Sequence, residues 1–266
     1  MTVTFPAVEA VVFDVDDTLV DTRGVWTGAL DAVCRDIAAA VPGAHADVLA
    51  DTYRVTSDTL WNDYARTLAP LGSVSDMRRY VWKRALNACD VRLTDDHIGS
   101  LVRDFADLQR TGIRPDPELS RLLGLLAERY RLAVCSNGEG AQTRMKLERA
   151  GVLQHFEKIV CGMDEQVRKP DPELFRRCCR ILDVPAERCL YIGDDWRNDV
   201  DAARRAGLHP VWVPADPAAA VPPGEQPPLR CPTVRECLRR LLDGTAGRTA
   251  SELSRADRHA AQEEKL

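Results

Sequence analysis

Three carboxylates follow directly on a short apolar run: Val11-Val12-Phe13 leads into Asp14-Val15-Asp16-Asp17-Thr18-Leu19. Asp14 and Asp16 alternate along the chain, so where they leave a strand their side chains can converge on one pocket. Clustered like charges cost free energy unless a cation or protons offset them. The pattern therefore points to a divalent-metal site. The structural alternative is an acidic turn capping a helix, with Thr18 nearby, and the motif alone does not separate the two.

Three later groups bear on the choice. Cys135-Ser136-Asn137-Gly138 offers a hydroxyl, an amide and backbone N–H groups, donors that suit a phosphate oxyanion. No Gly-x-Ser-x-Gly surrounds Ser136, so a catalytic serine is the weaker reading. Lys169-Pro170-Asp171-Pro172 supplies one ammonium between rigid neighbours; alone, it reads more simply as a helix start with Pro at the first position. Ile192-Gly193-Asp194-Asp195-Trp196-Arg197-Asn198-Asp199 brings three more carboxylates after a glycine turn. Acids at a helix N-terminus also complement its dipole, which is the plain explanation of that stretch. Taken together, the four groups provide acids for a hard cation, a hydroxyl and one lysine. That set fits phosphoryl transfer, where charge neutralisation and positioning dominate catalysis.

These groups need elements that present them together. Strand character is found in Val8–Phe13, Arg131–Cys135, Lys158–Cys161, Cys189–Ile192 and Pro210–Val213. Helical patterns over Pro117–Tyr130, Ala141–Ala150, Pro172–Leu182 and Arg197–Ala206 separate the later ones, with Gly151 and Gly207 at expected helix ends. Alternating strands and helices predict an α/β fold with a Rossmann-like parallel sheet. In such a sheet ligands bind beyond the carboxyl ends of the strands, where all four groups fall.

Residues 20–114 break the rhythm, with helical patterns around Trp26–Ala40, Ala46–Ala69, Ser75–Cys89 and Thr94–Gln109 and no strand. The expected organisation is a catalytic core of residues 1–19 and 115–243, with an inserted α-helical subdomain of residues 20–114 able to close over the site as a lid. The proline-rich stretch after Val213 reads as a loop, Thr233–Asp243 as a last helix, and residues 244–266 as a polar, disordered tail.

Composition narrows the class. At 266 residues, 45% hydrophobic and 29% charged, the chain is an ordinary globular protein with a sizeable core. A net charge of −5 argues against general nucleic-acid or membrane-surface binding. Nine scattered cysteines without a Cys-x-x-Cys pair read as reduced core thiols, and the five histidines lack metal-ligand spacing, so zinc is not expected. Without a signal-like N-terminus or a long apolar run, the expectation is a soluble cytoplasmic protein, monomer or homodimer.

Asp14-x-Asp16-x-Thr18, Ser136, Lys169-Pro170 and Gly193-Asp194-x-x-x-x-Asp199 together resemble the four ordered motifs of the haloacid dehalogenase-like hydrolase superfamily. The resemblance covers Val8 to Val213 and implies a core with a central first strand. It also implies that the insert is the small α-helical cap of that superfamily's first cap class. By that resemblance Asp14 is the nucleophile that forms an aspartyl-phosphate, and Asp16 the general acid and then base. Ser136 and Asn137 bind the substrate phosphate, and Lys169 offsets charge on Asp14 and the phosphoryl group. Mg²⁺ is held by Asp14, the Asp16 backbone carbonyl and Asp194, with Asp199 steadying the metal from outside its ligands. Asp195 either helps the metal or caps the following helix.

Three classes compete within the resemblance: a phosphatase of a small phosphorylated metabolite, a sugar-phosphate mutase of the β-phosphoglucomutase type, and a binding protein that keeps the fold. Asp16 favours the first, because an alkoxide leaving group needs a proton whereas a halide does not. Mutases of this kind resemble Asp-Gly-Val where this chain has Asp16-Asp17-Thr18. Specificity is expected from the cap, with Arg23, Trp26, Tyr53, Trp61, Arg78, Arg79 and Lys83 as candidates. For each of these a role in the cap's own core or as a solvated charge is the simpler expectation.

Overall fold

The computed structural model describes residues 5–245. The expected disordered tail lies outside the described residues except for Gly244 and Thr245, which belong to the last helix, Val234–Thr245. The chain divides into two compact units, one running to Val20 and resuming at Pro115, the other spanning Asp21–Arg114.

The first unit is built on a six-stranded sheet, ordered β3-β2-β1-β4-β5-β6 and parallel throughout. Its strands are β1 (Ala10–Phe13), β2 (Arg131–Ser136), β3 (Lys158–Cys161), β4 (Cys189–Gly193), β5 (His209–Trp212) and β6 (Leu229–Arg230). Five match the sequence expectation to within two residues. The sixth is two residues long and carries no periodicity to read. β1 is wholly buried between β2 and β4, which is why it is a continuous apolar run and not an alternating one. Tyr191, Phe175, Leu174 and Leu182 pack with Ala10 and Val12 in the core on one side of the sheet.

Helices of this unit start and stop on local chemistry. Asp116 accepts from the Leu119 amide at the head of Pro117–Ala127, and Asp171 from the Glu173 amide at the head of Pro172–Leu182. Between β4 and β5 the sequence predicts one helix over Arg197–Ala206. The structure has a π-helix, Trp196–Asp201, running into a short α-helix, Ala202–Ala206. Both the Asp199 and Val200 amides donate to the Asp195 carbonyl there, and the wider turn carries the buried Asp199.

The second unit is helical: α1 (Thr22–Ala40), α2 (Ala46–Asn62), α3 (Tyr64–Thr67), α4 (Val74–Ala88) and α5 (Asp95–Gly112). The single pattern read over Ala46–Ala69 breaks at Asp63, and a 3₁₀ turn follows at Ala69–Leu71. Helix α1 packs on α5, and α2 on α4. Their shared centre is aromatic: Tyr53 lies 4.2 Å from Trp82 and 5.7 Å from Phe105 between ring centroids. All nine cysteines are free thiols, eight of them buried.

Trp82 is fully buried, so Trp82→Ala should destabilise the helical unit by about 3–5 kcal/mol. Urea unfolding followed by circular dichroism measures that loss.

Candidate active site

Asp14, Ser136, Asn137 and Asp194 all stand at the carboxyl ends of adjacent strands. Asp14 extends the ladder of β1 by one bond, its amide donating to the Ile192 carbonyl at 2.9 Å. Beyond it the chain turns sharply. Asp17 has φ +60°, and the Leu19 and Val20 amides both donate back to the Val15 carbonyl. Asp is among the few residues that adopt this conformation readily, so Asp17 shapes the turn.

Lys169 joins the motifs. Its ammonium donates to Asp14 Oδ1 at 2.5 Å, to Asp199 Oδ1 at 2.6 Å and to the Tyr191 hydroxyl at 3.0 Å. Burial pulls its pKa down, but Asp14 and Asp199 outweigh that and hold it above the ordinary lysine range. Asn137 fixes the lysine backbone from both sides, its Oδ1 accepting from the Lys169 amide at 2.7 Å and its Nδ2 donating to the Lys169 carbonyl at 2.9 Å. The Asn137 side chain therefore holds the lysine, a duty the sequence reading does not include.

Asp199 is held through both of its oxygens. Its Oδ1 accepts from Lys169 and lies 3.1 Å from the Tyr191 hydroxyl, and its Oδ2 accepts from the Asp195 amide at 3.0 Å. The same Tyr191 hydroxyl donates to the Cys135 carbonyl at 3.0 Å, tying β4 to β2. Gly193 makes this approach possible: a Cβ there would lie 2.5 Å from the Asp199 carboxyl carbon. Asp194 is half-buried, and Trp212 Nε1 donates to its carbonyl at 2.7 Å.

The remaining carboxylates divide. Asp195 is exposed and its Oδ1 accepts from the Asn198 amide at 2.7 Å, so it caps the following helix. Asp16 is half-exposed and pairs at 2.5 Å with Lys146, on the helix Gly140–Arg149 that follows β2. Ser136 is 1% exposed, and its Oγ accepts from the Gly138 amide.

Tyr191 and Lys146 escaped the sequence reading. Tyr191 sits in an apolar strand, where an aromatic is the ordinary core residue. Lys146 sits in a helix full of charges. Its one distinguishing mark is that the chain has only five lysines among its 36 basic residues. Of the seven cap candidates, Tyr53 is 3% exposed and belongs to the helical core, with Trp26 packed 5.9 Å from it. Lys83 pairs with Asp95 at 2.6 Å and Arg79 donates to the Asp95 carbonyl, while Arg78 donates to Gln109. Trp61 stacks on Tyr64 at 5.5 Å. Arg23 also has a partner.

Asp14, Asp194 and Asp199 each offer a carboxylate oxygen within 4.8 Å of the other two. All-oxygen donors of this density suit a hard divalent cation. Burial pushes Asp14 well above the usual carboxylate range, with Asp199 and Asp16 adding to it and Lys169 opposing. Burial, then Asp199, Asp17 and Asp195, push Asp194 up to about 7. Three acids facing one lysine ammonium leave an excess of negative charge that a cation would offset, so the residues fit such an ion.

The sequence profile of haloacid dehalogenase-like hydrolases matches residues 8–207. N-acylneuraminate-9-phosphatase of Rattus norvegicus is 27% identical over 213 residues, covering 77% of this chain and 82% of that protein. Glyceraldehyde 3-phosphate phosphatase of Pyrococcus furiosus is 25% identical over 206 residues, covering 77% and 80%. Among solved structures, a 2-haloacid dehalogenase from Pseudomonas syringae aligns at TM-score 0.63 and 25% identity, over 89% of this chain and 99% of that one.

Two predictions come from this geometry. Gly193→Ala should displace Asp199 and cost about 1–3 kcal/mol, measured by chemical denaturation. Asp194 has a raised folded pKa, so between the usual carboxylate range and about 7 the folded protein holds the extra proton. Metal-free protein should therefore lose stability as pH rises through that window, and by more than Asp194→Asn does. Added Mg²⁺ should raise the thermal midpoint more at pH ~8 than at pH ~5.

Proposed function

We propose, since this chain belongs to the haloacid dehalogenase-like hydrolase family, that it is a Mg²⁺-dependent phosphatase of a small phosphorylated metabolite. The sheet unit carries the catalysis in this reading, and the helical unit serves as the cap. The observation that supports it best is Lys169, a buried ammonium held at once by Asp14 and Asp199.

Asp14 attacks phosphorus, a bond forms from its carboxylate oxygen, and the bond from phosphorus to the ester oxygen breaks. Asp16 gives its proton to that oxygen as the alcohol leaves. Water then attacks the aspartyl-phosphate, Asp16 takes the water's proton, and Asp14 is released with inorganic phosphate. Lys169 neutralises charge beside Asp14, and Ser136 donates to the phosphoryl group. Asp14, the Asp16 backbone carbonyl and Asp194 would hold Mg²⁺, which supplies charge neutralisation for the phosphoryl oxygens when bound. Asp199 would act on it indirectly, since its own oxygens are taken up by Lys169 and the Asp195 amide.

Asp16 argues for an ester over a halide, because an alkoxide leaves only with a proton. The two relatives named as phosphatases support the same class. The structural likeness to a dehalogenase is one of fold, and the aspartate two residues after the nucleophile points the other way.

A panel of phosphorylated metabolites, assayed for phosphate release by the purified protein with and without Mg²⁺, tests the proposal. Release should require Mg²⁺, and Asp14→Asn should lower kcat by roughly 10³-fold or more. Isomerisation of a hexose phosphate without phosphate release would identify a mutase instead. Hydrolysis that survives in Asp14→Asn would overturn the nucleophile assignment.

A further inference from the structure

We propose that Lys146 is the positioning residue for Asp16, fixing the carboxylate through one oxygen so that the other carries the proton to and from substrate. The inference rests on the phosphatase reading above, which gives Asp16 its role. It adds a residue outside the four motifs.

The contact is specific in its atoms. Lys146 Nζ lies 2.5 Å from Asp16 Oδ1, and the lysine side chain is 24% exposed against 40% for the carboxylate. The lysine side chain as a whole is thus the more enclosed partner, and its ammonium rests on Asp16. Its helix is firmly held. Thr143 and Leu147 on either side of Lys146 are buried, and the Gly140 amide at the helix start donates to Asp164 Oδ1 at 3.1 Å. That helix follows directly on the Ser136-Asn137 loop, so one stretch of chain delivers the phosphate-facing hydroxyl, the clamp on Lys169 and the partner of Asp16.

Composition sharpens the point. Only five of the 36 basic residues are lysine, leaving 31 arginines. Two of the four lysines within the described residues bond to aspartates of the active site. The side-chain chemistry gives a reason for lysine here. A guanidinium fork engages both oxygens of a carboxylate, whereas an ammonium takes one and leaves the other available. A general acid and base needs that second oxygen free. Misplacing a reacting group by about 1 Å can cost about a hundredfold in rate.

The test is a double-mutant cycle in the full-length protein with Mg²⁺ present, using Asp16→Asn, Lys146→Met, Lys146→Gln and each double variant. Glycerol phosphate supplies an alkoxide that needs the proton, and 4-nitrophenyl phosphate a leaving group that needs it far less. Either Lys146 variant should lower kcat/KM for glycerol phosphate by about 10- to 100-fold, and by at least about fivefold less for the aryl ester. In the Asp16→Asn background the same change should cost less than about twofold, because the group it positions is already gone. Thermal midpoints should stay within about 4 °C of wild type, since a partly exposed ion pair contributes little to stability. Losses that multiply in the double variant, or that fall equally on both esters, would overturn the role of Lys146 and leave the phosphatase reading standing. Full activity of Asp16→Asn on glycerol phosphate would overturn both, and so marks failure of the underlying reading.

Discussion

Lys169 carries a charge into a place nearly closed to water, its side chain 4% exposed beside an Asp14 that is 8% exposed and an Asp199 that is 2% exposed. Desolvating three charged groups is costly, and removing one partner from such a set is typically worth about 3–5 kcal/mol of lost stability. Much of the surrounding architecture serves to make that cost bearable. Asn137 holds the lysine backbone at two points, Gly193 lets Asp199 come within reach, and the π-turn after Asp195 supplies the angle. Tyr191 spans the centre, its hydroxyl shared among Lys169, Asp199 and the Cys135 carbonyl.

This arrangement is an electrostatic imbalance held in place by a rigid frame. Lys169 satisfies one oxygen of Asp14 and one of Asp199, and Asp194 is left to raise its affinity for a proton. A site that binds protons too readily when empty is one that welcomes a cation or a cationic centre, and then ionises fully. Preorganisation of this kind is where most of the rate enhancement in phosphoryl transfer is expected to arise.

Much of this was legible in the sequence because strand, turn and charge coincide. A buried parallel strand has to be apolar on both faces, so β1 and its terminal Asp14 stand out without any alignment. The same holds for β2 into Ser136 and β4 into Asp194. What the sequence hid are contacts whose chemistry depends on a distant partner. Tyr191 reads as core because its ring is core, with Phe175 4.8 Å away; only its hydroxyl reaches Lys169 and Asp199. Asn137 reads as a donor to an anion, and nothing near it in the sequence shows that its side chain also holds Lys169, 32 residues later. The π-helix is invisible to a 3.6-residue periodicity that it barely disturbs. Tyr53 could equally face a substrate or its neighbours in pattern terms, and the tertiary packing of Trp82 and Phe105 decides for the neighbours.

The place of β1 in the sheet also governs the order in which the molecule can assemble. Its pairing partners begin at Arg131 and Cys189, and the bond from Lys169 to Asp14 closes a loop of 155 residues. The helical unit Asp21–Arg114, by contrast, is one continuous segment. During synthesis that segment is complete before β2 emerges, while Asp14, made first, waits for Lys169 and Asp199 to follow. Entropy of loop closure and high contact order make the sheet the slow step. A half-made chain therefore has Asp14 and Asp16 without the lysine and the later acids that gather around them.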